Sequence, residues 1–172
     1  MEIYLVRHTT PNIEKGICYG QSDIGITDSF QAEVDNIHRQ IPIHDIDKVY
    51  SSPLQRCKLL AKTFNREIKF DDRLKELNFG DWELLPWEAI DSKELDPWMK
   101  DFVTIQVPNG ESYVMLQKRI VDFYTSLNLL SNEKIVIILH AGPMRALISY
   151  LREIDLKDSF SIKIDYGEVI KI

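Results

Sequence analysis

The sequence predicts an α/β fold, a three-layer α/β/α sandwich around a mostly parallel central sheet. Three observations carry this. Short apolar, β-branched runs alternate with stretches of helical periodicity. The run from Ile135 to Leu139 is continuously apolar, as a strand covered on both faces must be. Two of the runs also end in a histidine, His8 and His140, and the carboxyl ends of parallel strands are where such sheets bind ligands.

The chain has 172 residues, a length that suits one domain with a substantial core. It shows no repeat, low-complexity tract or linker, so 1–172 is read as a single domain. The formal charge is −6, from 27 acidic and 21 basic residues, with no basic stripe. That argues against nucleic acid as a partner and requires a local positive pocket for any anionic ligand. The two cysteines, Cys18 and Cys57, have neither CxxC nor zinc-ligand spacing and read as core or loop thiols. No basic segment followed by an apolar one opens the chain, and no apolar run could span a bilayer. A cytoplasmic location without membrane contact is the expectation.

Ile3 to Val6 reads as the first strand, running out into Arg7-His8-Thr9. Thr9 to Gly25 is a loop carrying Gly16, Gly20 and Gly25. There, Gly20 permits close backbone approach, and Gln21 and Ser22 offer neutral hydrogen bonds. Thr27 to Gln40 reads as a helix with Thr27 as N-cap and Phe30, Val34, Ile37 and Ile41 on its apolar stripe. His38 falls beside that stripe as a structural residue.

Asp47 to Ser51 is the second strand. Ser52 as N-cap, Pro53 at the first helical position and Gln55 completing a capping box predict a helix to about Asn65. Arg56 then lies in its first turn, where phosphate binds readily. Ile68 to Phe70 is a third strand.

The segment 71–110 has few strand signals and carries Glu76 and all three tryptophans. It reads as a lid-like wall or a helical flap packed on the core, with a helix from Pro86 ending before Pro97. Pro108-Asn109-Gly110 is a turn, and Glu111 to Asn128 a helix. After the strand ending at Leu139, Ala141-Gly142 reads as a tight turn and Pro143 as the start of a helix to about Arg152. Ser161 to Asp165 and Glu168 to Ile172 read as two final strands around Tyr166-Gly167.

Four blocks stand in a telling order. They are Arg7-His8, Ser51-Ser52-Pro53-Leu54-Gln55-Arg56, Leu74 through Glu83, and Leu139-His140-Ala141-Gly142-Pro143. Together they resemble the histidine phosphatase superfamily, the phosphoglycerate-mutase-like enzymes. The wording Cys18-Tyr19-Gly20 is most similar to the α-ribazole phosphatase branch. The resemblance implies that Arg7 and Arg56 clamp a phosphate, that His8 attacks phosphorus, and that His140 hydrogen-bonds the transferring group. It also implies that Glu76 is the general acid and then base, with Glu83 as the fallback. Gly20, Gln21 and Ser22 would close one side of the pocket, and Ala141 stands on the substrate side, where the family usually has Gly. Glu111-Ser112 resembles a Gly-Glu-Ser signature at the pocket rim.

These residue types are also what phosphoryl transfer needs: neutralised phosphoryl oxygens, an in-line nucleophile and a proton donor for the leaving alcohol. The implied function is a phosphomonoesterase acting through phosphohistidine, on α-ribazole 5′-phosphate in cobalamin assembly. A phosphoglycerate-mutase-type transferase, a broad-specificity phosphatase and a silent phosphate-binding module are the alternatives. No carboxylate cage, Walker loop or zinc spacing is present, so no metal or cofactor is expected. The expected partner is a small phosphomonoester, bound by a monomer or homodimer.

Overall fold

The computed structural model describes residues 2–127 and 132–172. Among them five strands form one sheet: β1 (Glu2–Arg7), β2 (Lys48–Ser51), β3 (Ile68–Phe70), β4 (Lys134–Leu139) and β5 (Val169–Lys171). Their order is β3-β2-β4-β1-β5, parallel throughout except for β5, which runs antiparallel to β1. The sandwich and its mostly parallel sheet are thus as the apolar runs imply.

Period-2 alternation splits the strands between two cores. Ile3, Leu5, Ile135, Ile137 and Leu139 face one apolar layer, where α4 (Tyr113–Ser126) and α5 (Ala141–Leu151) contribute Leu116, Ile120, Met144 and Leu147. Tyr4, Val6, Val136 and Ile138 face the other, built from α1 (Phe30–Gln40) and α2 (Gln55–Lys62) with Val34, Ile37, Cys57 and Leu60. Cys18 and Cys57 are both buried free thiols. A smaller third cluster, with Cys18, Trp82, Ile90 and Val107, lies under segment 71–110.

Register decides where the chemistry sits. Arg7 pairs with Leu139, and Ser51 with Ile138. The residues that follow these strand ends, His8, Ser52 and His140, therefore emerge side by side at one carboxyl edge. The His8 N–H donates to the Leu139 carbonyl at 3.1 Å and the Ser52 N–H to that of Ile138 at 2.9 Å.

Several element ends differ from the sequence reading, at Thr27, Ser52 and Gln55 because a tertiary partner competes for a local group. Helix α1 begins at Phe30, because the Thr27 hydroxyl turns to Ser29 and the Thr10 carbonyl. The capping box at Ser52 does not form. The Ser52 hydroxyl bonds His140 Nε2 at 2.9 Å, the Gln55 N–H donates to Asp23 of the first loop at 2.6 Å, and α2 starts at Gln55. Pro86 opens only a short 3₁₀ turn, Trp87–Ala89. The helix of this segment, α3 (Ser92–Lys100), starts at an Asp91 cap whose side chain accepts from the Lys93 N–H. It runs through Pro97, whose place opposite the exposed Lys93 leaves the unpaired carbonyl in water.

Ala141 and Gly142 form the first turn of α5 rather than a separate turn. Pro143 fits at the third position because the first N–H groups of a helix have no internal partner. Ser161 to Asp165 is not a strand. Its Ile162 and Ile164 carbonyls accept from Arg145 and Arg7 instead of joining a ladder. Helix α4 ends at Ser126, and the expected end at Asn128 lies outside the described residues. No helix among the described residues is long and apolar enough to cross a membrane.

Candidate active site

His8 is the centre of the edge. It is 2% exposed, and its Nδ1 stands 2.7 Å from the Thr9 carbonyl. A carbonyl only accepts, so Nδ1 carries the proton and Nε2 is bare. That bare nitrogen accepts a long bond, 3.3 Å, from Arg56 Nε. Burial, then the positive charges of Arg56 and Arg7, hold the ring well below the ordinary imidazole value, against the Thr9 bond that raises it. The result is a neutral imidazole with its lone pair beside a guanidinium.

Arg56 is fully buried without a carboxylate partner among the described residues. Two carbonyls from the first loop hold it: Ser22 from Nη1 at 2.9 Å and Gly20 from Nη2 at 2.6 Å. Arg7 donates from Nη1 to the Ile164 carbonyl at 2.8 Å, lies 3.8 Å from the centroid of the Tyr166 ring, and keeps a buried Nε with no protein partner. Tyr166 and Tyr19 join hydroxyls at 2.8 Å, which roofs both arginines.

His140 is fully buried, edge-on to His8 with ring centroids 4.9 Å apart. Its Nε2 meets the Ser52 hydroxyl and, at 3.4 Å, the Cys57 thiol. Burial, then the charge of Arg56, depresses its proton affinity strongly. Burial also pushes the Cys57 thiol up to about 12, so it stays uncharged beside this ring.

Glu76 reaches the edge from segment 71–110. Its Oε1 accepts the Leu77 N–H at 2.9 Å, and its Oε2 accepts the Gly142 N–H at 3.2 Å, at the start of α5. Only glycine permits this approach, since a Cβ on residue 142 would lie 2.1 Å from Glu76 Oε1. Gly20 is similarly constrained, with a Cβ there 1.8 Å from the Leu77 carbonyl oxygen.

These groups border a cavity of about 250 Å³. Arg7, His8, Glu76 and Ala141 line it, while Arg56 and His140 sit buried behind. The rest of the wall is mostly aromatic, Tyr19, Phe79, Trp87, Trp98, Phe102 and Phe160 among them, with aliphatic Ile17 and Leu77 and one further cation, Arg145. Trp82 points instead into the small core and donates to Glu94 at 3.0 Å.

Gly20, Gln21 and Ser22 do not line the cavity. Their N–H groups all donate to Glu83, as do the Ser22 hydroxyl and the Phe79 N–H. Burial alone would raise the Glu83 carboxyl, but these bonds outweigh it and hold it below the usual range. Both its oxygens are thereby occupied in shaping the loop that holds Arg56. Sequence reasoning singled out neither this clasp nor Arg119, Arg145 and the two tyrosines. An acidic residue three after Gly80 and a lone helix arginine carry no local signal of what they touch.

A strand-edge imidazole bonded by one guanidinium group, with a second guanidinium and a carboxyl group bordering the same cavity, is the set of groups that phosphoryl transfer needs. Residues 3–172 match the sequence model of the histidine phosphatase superfamily, branch 1. The chain belongs to that superfamily and is one of its phosphatases.

It is 26% identical to a putative phosphoserine phosphatase 2 of Hydrogenobacter thermophilus, over 99% of this chain and 88% of that one. It is 24% identical to the adenosylcobalamin/alpha-ribazole phosphatase of Salmonella typhimurium, over 97% and 87%. A crystal structure of phosphoglycerate mutase from Thermus thermophilus superposes with a TM-score of 0.78 at 25% identity, covering 100% of this chain and 92% of that one.

Proposed function

We propose that this phosphatase acts on α-ribazole 5′-phosphate through a phosphohistidine on His8. One observation supports the mechanism: the Thr9 carbonyl holds the proton on Nδ1 and leaves Nε2 bare, its lone pair engaged by Arg56 Nε in a residue that borders the cavity. His8 Nε2 attacks phosphorus and the bond from phosphorus to the ester oxygen breaks. Protonated Glu76 gives its proton to that oxygen, releasing the alcohol. Glu76 then takes a proton from water, the water oxygen bonds to phosphorus, and the P–N bond breaks with its electron pair returning to Nε2. Arg7 and Arg56 neutralise the phosphoryl oxygens, and His140 lies beside the transferring group. Gly20 and Ser22 act through Arg56, Gln21 through the Glu76 carbonyl to which its side chain donates at 3.0 Å, and Ala141 lines the phosphoryl end of the cavity.

The aromatic wall supports the substrate, because a benzimidazole can lie against Trp87, Trp98 or Phe79. The Salmonella relative points the same way. A second reading has one specific support. Arg145 lines the cavity without an ion pair to a carboxylate among the described residues, held on Ile162 two residues from the Ile164 carbonyl that holds Arg7. Such a second cation suits a phosphorylated acid.

Two measurements test this. Labelled substrate quenched in base should leave phosphate on the protein, and His8→Ala should abolish it; a full label in His8→Ala refutes the mechanism. The kcat/KM for α-ribazole 5′-phosphate should exceed that for phosphoserine, with no isomerisation of 3-phosphoglycerate. The reverse order, lost in Arg145→Met, establishes the acid reading.

A further inference from the structure

Segment 73–78 has almost no regular structure, yet it must present Glu76 at a fixed place. Past the 3₁₀ turn Asp72–Leu74, among the described residues, no helix or strand supports it. Side chains from elsewhere do: Gln21 donates from Nε2 to the Glu76 carbonyl at 3.0 Å, and Arg119 of α4 makes the larger set of bonds. Arg119 donates from Nη1 to the carbonyls of Arg73 at 2.7 Å and Lys75 at 2.6 Å, and from Nη2 to that of Glu76 at 2.8 Å. Its remaining N–H groups grip Glu111 as a fork, at 2.8 Å from Nε and 2.9 Å from Nη2. All five guanidinium hydrogens are thereby used. Glu111 closes the clasp by accepting the Asn78 N–H at 3.0 Å. The Arg119 side chain is 17% exposed, so this network is largely shielded from water.

We propose that Arg119, oriented by Glu111, is a positioning residue for the proton transfer at Glu76. It rests on Glu76 being the general acid. The guanidinium fixes the carbonyls on both sides of residue 76, and so the Cα from which the carboxyl reaches Gly142 and the cavity. A lysine cannot substitute, because a point charge does not span three carbonyls and a carboxylate in one plane. The acidic Glu111 serves to orient the fork, which gives the Glu111-Ser112 signature a physical task beyond its Ser112 cap on α4.

The test is the dependence of kcat/KM on the leaving group, which reports the step that forms phosphohistidine. p-Nitrophenol leaves without a proton, whereas an alkoxide needs one. Arg119→Met and Arg119→Lys should each lower kcat/KM for an alkyl phosphate by about ten- to a hundredfold, part of the range for a general acid. Loss with p-nitrophenyl phosphate should stay below about threefold on the same grounds. Equal losses on both substrates, or full activity in Arg119→Lys, overturn the proposal. Glu76→Gln is run beside them. If it shows no leaving-group dependence, the assignment of Glu76 fails. If it does and the Arg119 variants do not, only the positioning role fails. Should the Arg119 variants not fold, Glu111→Gln, which removes half of the fork's partner, must show the same selective loss for the idea to stand.

Discussion

At the scale of single residues, the site depends on groups kept in the protonation state that burial imposes. His8 and His140 are neutral when folded, whereas in the unfolded chain each takes up a proton near pH 6.5. Their folded values lie below the unfolded one, so the stability they allow is complete above about pH 6.5 and is lost as pH falls below it. The urea midpoint should therefore drop between pH ~7.5 and ~5.5, and less steeply in His8→Gln. An unchanged slope in that variant contradicts a buried, neutral His8. Gly142→Ala tests the Glu76 contact, since the added Cβ must displace Oε1 from 2.1 Å. We expect kcat for an alkyl phosphate to fall about a hundredfold, the cost of an ångström of misplacement. The thermal midpoint should move little, because only one flexible carboxylate has to shift.

At the scale of elements, the groups at the strand ends are held by loops, and the loops by acids. Glu83 gathers residues 20–22 and 79 through five donors, and residues 20 and 22 hold Arg56. In Glu83→Gln one oxygen becomes an NH₂ group facing N–H donors. The change should cost about 2 kcal/mol in urea unfolding and raise KM through a loosened Arg56. Because the folded Glu83 carboxyl sits below its ordinary value, its contribution is present above the unfolded carboxylate pKa and lost as pH falls through the folded one. A variant with wild-type KM and stability would show that the loop keeps its shape by other means. The same scale explains the misplaced helix starts. Thr27, Ser52 and Gln55 are sound capping signals, but each meets a partner distant in sequence, and the Ser52 hydroxyl keeps only a long bond, 3.4 Å, from the Leu54 N–H.

For the whole molecule, positive charge at the site comes from three arginines, Arg7, Arg56 and Arg145, in an acidic chain. An anionic substrate would have to be drawn by the pocket and not by the overall field. Because guanidinium groups provide the neutralisation, activity should survive exhaustive chelation, and strict dependence on a divalent ion would contradict the mechanism. The sheet order puts β4 between β1 and β2, so the strand ends of three distant stretches converge. No one of those stretches is informative alone.

The sequence by itself determined where β1 to β5 lie, the burial of β1 and β4 on both faces and the carboxyl edge that carries Arg7, His8 and His140, though it also read Ser161 to Asp165 as a strand that does not form. Those follow from hydrophobic period and strand direction, which are local properties. It also placed the arginine of the second helix in a first turn, even though the cap it relied on was not the one used. Only the tertiary structure decided which nitrogen of His8 is bare, which carbonyls grip Arg56 and Arg119, and that Glu83 is spent on a loop. A hydrogen bond between residues dozens of positions apart leaves no periodic trace along the chain. It exists only once packing has brought donor and acceptor together and excluded the water that would otherwise serve both.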